Sequence, residues 1–387
     1  MRICILCSFE EAMQKDTGAS VRVFNLAKSL AEIRNDVRVI LPRGKATFER
    51  LGRVNVYGLR GLLPVKVLSV LKNFVNVLRP TALYFYDPLF AARVGCLLRD
   101  ADVVQIEHPS SAGFLIAFVK IVLRKPIVVD CHDAFQSLRV QHTSIFRRFL
   151  ETSIEKLAYK IADNVLVVSE SEKRLLLSYG VEEKRVLVVP NGVDTEVFRR
   201  SVDSTRIRKA YNLEGFRTVV FVGNLSYAPN REAIELLDSR IAPVVNKRLS
   251  NVKFLVVGKL QHNFDLPRLS FTGFVDDVAS VISACDVAVA PLFQGSGTRL
   301  KILEYFSCGL PVVSTSIGVE GLDVKDGANI FIENEPDKFA FRIVELLGNR
   351  GLAESMGDAA RVLAVTNYDW KHIVRKLEES LSGIALD

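Results

Sequence analysis

The sequence is short of the residues that staple unusual folds together. Six cysteines, Cys4, Cys7, Cys96, Cys131, Cys285 and Cys308, are scattered over 387 residues, which excludes a disulfide scaffold. Cys4 and Cys7 spell C-x-x-C inside the apolar run 3–7. The two-residue period of a strand sends positions 4 and 7 to opposite faces, so the thiols cannot meet. The other four stand singly among apolar neighbours and read as small hydrophobes, a usage that points to a reducing compartment. There is one tryptophan, Trp370, and no short repeat or low-complexity tract. No apolar stretch reaches the ~20 residues of a bilayer span. The longest, 109–119, is closed by Lys120, Arg124 and Lys125. The first residues alternate as a strand and carry no cleavage pattern, so no signal peptide is expected.

What is present is an ordinary globular balance, with 49% hydrophobic and 25% charged residues, which excludes a disordered or collagen-like chain. At ~100–200 residues per domain the length suits two or three domains. The net charge of +7 is unevenly placed: residues 1–200 hold 30 basic and 21 acidic side chains, and 201–387 hold 21 and 23. Segment 43–99 has ten basic residues against Glu49 and Asp87. A basic front half suggests an anionic partner there, a membrane surface or a nucleic acid; the segment contains no aromatic-basic module of the nucleic-acid-binding kind, so no nucleic acid is expected. Residues 62–75 interleave lysines with apolar residues, the pattern of an interfacial helix.

Short β-rich runs at 2–8, 37–41, 54–56, 82–85, 103–106, 127–130, 165–168 and 186–189 alternate with helical patterns at 19–33 and 62–78. This predicts a parallel sheet covered on both faces. The turn residues Pro190-Asn191-Gly192-Val193-Asp194 then reset the pattern. A second β/α series follows at 218–222, 254–257, 270–272, 287–290, 312–314 and 329–332, with a helix near 231–245. An amphipathic helix at 368–382 ends it. The expected architecture is two doubly wound domains, 1–195 and 217–365, joined by a linker at 196–216, with 366–387 as a helix crossing back to the first. In such sheets ligands bind beyond the carboxyl ends of the strands, so a cleft between the domains is the expected site.

One segment carries most chemistry. After the strand 287–290 comes Gln294-Gly295-Ser296-Gly297-Thr298-Arg299-Leu300-Lys301, then Glu304 and Cys308-Gly309-Leu310-Pro311-Val312-Val313. Glycines let the backbone approach a ligand, and amides at a helix start attract phosphate. Arg299 and Lys301 add positive charge. Glu304 shares a helix face with Lys301, one turn deeper, where a carboxylate can accept hydrogen bonds from the vicinal hydroxyls of a ribose. This composite resembles the donor-nucleotide segment of retaining glycosyltransferases of the GT-B fold, in particular glycosyltransferase family 4. The resemblance extends over nearly the whole chain: Val188-Val189-Pro190-Asn191-Gly192-Val193-Asp194 is similar to the end of that family's first domain. Phe221-Val222-Gly223-Asn224-Leu225 is similar to the opening of the second. Gly273, Phe274 and Val275, before Asp276-Asp277-Val278, match the loop that holds the base. Gly18, in Thr17-Gly18-Ala19-Ser20, matches the first glycine loop, and His132, in Val128-Val129-Asp130-Cys131-His132-Asp133, the active-site histidine.

The resemblance implies GT-B architecture: two Rossmann-like domains facing a cleft, the first binding acceptor, the second donor. It implies transfer of a sugar from a nucleoside-diphosphate sugar to a glycan or polyprenyl-linked acceptor, with retention at the anomeric carbon. Two departures stand out. Ser296 occupies the place of the family's first glutamate, and Asn224 that of an arginine after Gly223, with Arg231 near the position of a further lysine. The phosphate clamp is therefore expected to lie partly on Gly295, Gly297, Thr298, Arg299 and Lys301. Arg231, Arg299 and Lys301 would stabilise the leaving group, Glu304 the ribose, and His132 the donor sugar or the departing oxygen. His108 is expected to be structural or acceptor-side. No acidic or histidine cluster shows metal-ligand spacing, so no metal and no cofactor is expected. A cytoplasmic protein, peripheral on the membrane through 43–99, is the expected setting. Two other readings stay open: a nucleotide-sugar epimerase or phosphorylase of the same fold, and a non-catalytic nucleotide-sugar-binding protein. An epimerase should show acid–base carboxylates in the first domain, and no such cluster is visible in the sequence.

Overall fold

The computed structural model describes residues 1–9, 12–14, 17–61, 87–108, 113–132, 145–200, 204–259, 264–295 and 297–385. Ser296, the helix expected at 62–78 and the strand expected at 82–85 lie outside the described residues. The chain divides into two units, Met1–Pro190 with Trp370–Asp387, and Asn191–Asp369.

Among the described residues the first unit carries eight strands: β1 (Arg2–Leu6), β2 (Asp36–Pro42), β3 (Thr47–Leu51), β4 (Val54–Leu59), β5 (Val103–Glu107), β6 (Ile127–Cys131), β7 (Asn164–Val167) and β8 (Val186–Val188). They lie in the order β3-β4-β2-β1-β5-β6-β7-β8. All neighbours are parallel except β3, which pairs antiparallel with β4 at the edge. The sequence pattern did not reveal β3, because its residues are largely exposed and carry no apolar face. The described helices are α1 (Gly18–Glu32), α2 (Pro88–Leu98), α3 (Gly113–Ala117), α4 (Ile145–Ile161) and α5 (Glu170–Ser178). A π-turn, Phe118–Val122, continues α3. A capping box starts α1, with the Ser20 amide donating to Thr17 Oγ1 and the Thr17 amide to Ser20 Oγ, which satisfies two otherwise orphaned donors.

Alternation along β1 sorts the core. Cys4 and Leu6 pack with α2, α3, α4 and α5 on one face, and Ile3, Ile5 and Cys7 with α1 on the other. The two thiols thus face opposite ways, and burial pushes that of Cys4 up to about 12. Cys96, in contrast to its expected apolar surroundings, is exposed, because it falls on the outer side of α2. The C-terminal helix (Trp370–Ala385) closes the second face, burying Trp370, Val374, Leu377 and Leu381 beside Val23 and Leu26 of α1.

The second unit holds β9 (Arg217–Val222), β10 (Val252–Val257), β11 (Leu269–Gly273), β12 (Val287–Ala290), β13 (Val312–Ser314) and β14 (Phe331–Ile332), all parallel, in the order β11-β10-β9-β12-β13-β14. Its helices are α6 (Thr205–Ala210), α7 (Ala228–Leu236), α8 (Ala242–Arg248), α9 (Val278–Ser283), α10 (Leu300–Ser307), α11 (Pro336–Gly348) and α12 (Arg350–Asn367). The helix expected at 231–245 is α7 and α8 joined by a π-turn, Leu237–Ile241, with a proline in the first turn of α8. Proline cannot donate to the turn before it, which loosens the hydrogen-bond ladder there.

The boundary between the units falls at the start of the turn residues 190–194, after Pro190. Val193 N–H donates to Tyr368 O at 2.8 Å and the Thr195 hydroxyl to the Asp369 carboxylate, which ties 191–195 to the second unit. The 196–216 stretch is not a free linker either: it contains α6, and the Arg208 guanidinium ties it down by donating to the carbonyls of Leu213, Phe216 and Ala284.

Both sheets reverse strand order beside their first strand, between β1 and β5 and between β9 and β12. The crossover connections leave in opposite directions at such a switch point and open a crevice at the carboxyl ends, where ligands of doubly wound sheets bind. The polar clusters of the two units lie at these two places.

Candidate functional site

In the second unit three adjacent strands end in glycine: Gly223 after β9, Gly258 after β10 and Gly273 closing β11. The Gly223 amide donates to Val257 O at 2.9 Å and the Gly258 amide to Gly273 O at 3.1 Å. A Cβ at Gly258 would lie 2.0 Å from the Gly223 carbonyl oxygen, so only backbone fits. The carboxyl edge thereby becomes a floor of bare main chain. Phe274, beyond it, is 71% exposed, and Val275 is partly buried.

The Gly-rich loop crosses the switch point from β12 to α10. Gly295 has φ +113° and Gly297 φ +76°, a region closed to most side chains. A Cβ at Gly295 would also meet Arg299 Nη2 and Tyr227 OH at 3.0 Å each. Arg299 caps α10 and donates from Nη1 to Gly297 O at 2.6 Å. The Thr298 hydroxyl is sealed from solvent with no hydrogen-bond partner. The helix begins at Leu300, and the Tyr305 hydroxyl, accepting from Val222 N–H at 2.7 Å, pins it to the end of β9.

Lys301 is drawn to Gly223 by these contacts. Its Nζ donates to Asn230 Oδ1 at 2.8 Å and lies 4.0 Å from the centroid of the Phe221 ring. Asn230 in turn donates to Asn224 O at 2.8 Å. A Cβ on residue 223 would stand 3.0 Å from Lys301 Nζ and 2.9 Å from Asn230, so glycine is what admits both groups. Burial, with the Arg299 charge adding to it, lowers the Lys301 ammonium to about 7. Burial raises the Glu304 carboxyl to about 7, partly offset by Lys301. Each is partly exposed, open to a ligand yet surrounded by enough protein to disfavour its charge.

Two expected contributors also make local hydrogen bonds. Arg231 donates to the carbonyls of Leu225 and Ser226, at 3.2 and 2.8 Å, and so braces the loop after β9. The Asn224 side chain accepts from Ser226 N–H at 2.9 Å, a turn-forming bond. Asn230 and Gly258 were not singled out from the sequence. The signal for Gly258 was present, since Val256-Val257-Gly258 repeats the apolar-apolar-glycine ending of Phe221-Val222-Gly223.

In the first unit Gly18 is exposed at the first position of α1. The switch point holds a buried polar network instead of a glycine floor. Arg22, 1% exposed, binds Asp130, fully buried, through Nε at 2.9 Å and Nη2 at 3.0 Å, and its Nη1 reaches Pro190 O at 3.2 Å. Glu107, also fully buried, accepts from Gln105 Nε2 at 2.6 Å and is hydrogen-bonded to His132 Nε2. The ring of His108, in the left-handed region at φ +54°, stacks on His132 with centroids 4.4 Å apart. Arg22 balances Asp130, which leaves Glu107 as a second buried carboxylate. Burial first, and the Asp130 charge second, push its carboxyl up, against the pull of His132.

The sequence showed no such cluster, yet Glu107, Asp130 and His132 bring ligand atoms within 4.8 Å of one another. Parallel pairing of β5 and β6 sets Glu107 opposite Asp130, so residues far apart in sequence meet at one sheet edge. The separation is short enough for a cation, but both Asp130 oxygens are taken by the Arg22 fork and Glu107 by Gln105 and His132. As folded, the trio is a hydrogen-bonded network closed by protein donors.

Two Rossmann-like units, one with a glycine floor and a lysine–glutamate helix at its switch point, define the GT-B class of glycosyltransferase folds. Residues 17–197 match the family model of Glycosyltransferase Family 4, and residues 216–349 that of Glycosyl transferases group 1. The chain belongs to glycosyltransferase family 4, group 1. It is 24% identical over 282 residues to an uncharacterized glycosyltransferase of Methanocaldococcus jannaschii, covering 69% of this chain and 70% of that one. It is 24% identical over 260 residues to the UDP-Gal:alpha-D-GlcNAc-diphosphoundecaprenol alpha-1,3-galactosyltransferase of Escherichia coli, covering 63% of each. In fold it is similar to Anabaena Alr3699/HepE in complex with UDP and glucose, with TM-score 0.72, 19% identity and 99% of both chains covered. The sucrose-phosphate synthase of Thermosynechococcus elongatus gives 0.76, 18% and 99% of both.

Proposed function

We propose that this glycosyltransferase moves a sugar from a nucleoside-diphosphate sugar to a glycan or polyprenyl-linked acceptor, with retention and without a metal. The observation that carries the reading is the convergence of Lys301 and Asn230 on the bare backbone of Gly223, with Gly297 and Thr298 leading into the same helix and Glu304 one turn along it. A diphosphate fits the lysine and the loop amides. Glu304 is the ribose acceptor, and Gly273, Phe274 and Val275 face the base. In this reading no protein nucleophile is needed. The departing phosphate takes the acceptor proton on the same face, and the protein positions the reactants and stabilises the leaving charge. His132, held by Glu107, is the histidine assigned to the reaction.

The acceptor class is supported by the undecaprenyl-diphosphate-linked sugar in the name of the Escherichia coli relative. A cytoplasmic setting with peripheral membrane contact is part of the same proposal; among the described residues no helix is long and apolar enough to cross a membrane.

Calorimetry with UDP-, GDP- and ADP-sugars tests the reading. One nucleotide series should bind, with the affinity unaffected by EDTA, and NMR of the product should show the donor's anomeric configuration. Absence of binding to all three, or an inverted product, would overturn it.

A further inference from the structure

The amino-end edge of the first unit's sheet presents a surface that the transfer reaction does not use. Ile121 and Val122, at the end of the π-turn after α3, are 72% and 62% exposed. Leu157, on the neighbouring helix α4, is 53% exposed, one turn before Lys160. Isolated exposed aliphatics are common, but Ile121 and Val122 stand in the chain between Lys120 and Arg124, which with Lys125, Lys160, Lys184 and Arg185 are the six cationic side chains lining a cavity of about 830 Å³. Its only acidic lining residues are Asp163 and Glu182. Lys120 is bound to Asp163 and Lys184 to Glu182 at 3.1 Å, so the positive charge of the other four is uncompensated within the lining. Arg185 caps carbonyls at the end of α4, and Lys125 donates to Ala101 O at 2.9 Å. These bonds fix the cations in place without neutralising them.

We propose that this edge docks on an anionic lipid bilayer, with Ile121 and Val122 entering the interface and the surrounding cations meeting the headgroups. Charge complementarity selects an anionic partner, and the aliphatic pair distinguishes a bilayer from a nucleic acid, which offers isoleucine and valine nothing to bury against. Paired apolar tips within a basic ring are the elements of interfacial binding. The edge lies where β6, β7 and β8 begin, at the far end of the strands from Glu107 and His132, so docking leaves the polar network uncovered. The surface is separate from the basic segment 43–99 and independent of which acceptor is glycosylated.

Vesicle co-sedimentation of the full chain tests it, with phosphatidylglycerol–phosphatidylcholine vesicles against phosphatidylcholine alone. The wild type should bind the anionic vesicles, and less so as salt rises. The double change Ile121→Ser, Val122→Ser should weaken partitioning by about tenfold or more, as should Arg124→Glu with Lys125→Glu. Ile121, Val122 and Arg124 are exposed and Lys125 is partly so, and a melting curve of each pair separates lost binding from lost fold. In a Cys96→Ser background, a polarity-sensitive dye on Val122→Cys should shift to the blue on vesicle binding. Three results would overturn the proposal: no binding to anionic vesicles, binding that survives the serine pair, or a dye that reports only water. Loss through the charge pair alone would mean plain anion attraction, a nucleic acid included, and would overturn it equally.

Discussion

The pH dependence of donor binding follows from two side chains on one helix turn. Lys301 is lowered and Glu304 raised to about 7, so near neutrality each is about half in its charged form. A diphosphate prefers cationic Lys301. Its affinity should therefore be insensitive to Lys301 below about pH 7 and should weaken up to tenfold per unit above. A hydrogen bond involving a charged group is worth ~1.5–3 kcal/mol, so the loss should level off at roughly 10–150-fold. Ribose hydroxyls prefer ionised Glu304, so a shallower acid limb is expected, because a protonated carboxyl still accepts one bond. Binding at pH 7 should also draw up to about half a proton onto Lys301 as the phosphate raises its affinity for protons. Calorimetry in buffers of different ionisation enthalpy reads that proton directly. Lys301→Gln should abolish both the proton uptake and the alkaline limb, and weaken binding at pH 6.5 to about the wild-type alkaline plateau. Ionising Glu304 on ribose binding releases protons and offsets part of this uptake, so an alkaline limb that persists in Lys301→Gln, or the same proton linkage at pH 7 in the wild type and Lys301→Gln, would refute the assignment of Lys301 to the phosphate.

Gly223→Ala should displace Lys301 and Asn230 and weaken donor binding at least ~10-fold, since charge-assisted contacts of this kind carry ~1.5–3 kcal/mol; unchanged affinity in a titration would count against the convergence argument. Glu107→Gln should lower kcat by ~10–100-fold, as expected for a misplaced His132, while donor Kd stays nearly constant; equal losses in the wild-type and His132→Ala backgrounds would show that Glu107 does not act through His132. Arg22→Met leaves Asp130 buried and unpaired and should cost ~3–5 kcal/mol in urea denaturation, most of it regained on adding Asp130→Leu. The folded state resists ionising Glu304, so its stability should fall as pH rises from the ordinary carboxylate range to about 7. Glu304→Gln should then raise Tm at pH 8, by roughly 1–3 kcal/mol of stability, and leave it unchanged near pH 4; an equal shift at both would remove burial of the charge as the cause.

By itself the sequence determined the two β/α series, the reset after Pro190, the glycine loop, and the helix face shared by Lys301 and Glu304. All of these are local, because the period of a strand, the spacing of a helix and the backbone freedom of glycine act within a few residues. It also separated Cys4 from Cys7 on that same local ground. What pairs residues far apart in the chain was left to tertiary structure. Parallel register set Glu107 against Asp130, strand order put the switch points beside β1 and β9, and close packing at Gly223 brought Lys301 to Asn230. The local bonds of Arg231 and Asn224 to nearby carbonyl and amide groups were left to tertiary structure in the same way. A charge in a sequence shows only that a cation or anion exists. Whether it is free, paired or buried depends on neighbours that folding alone supplies.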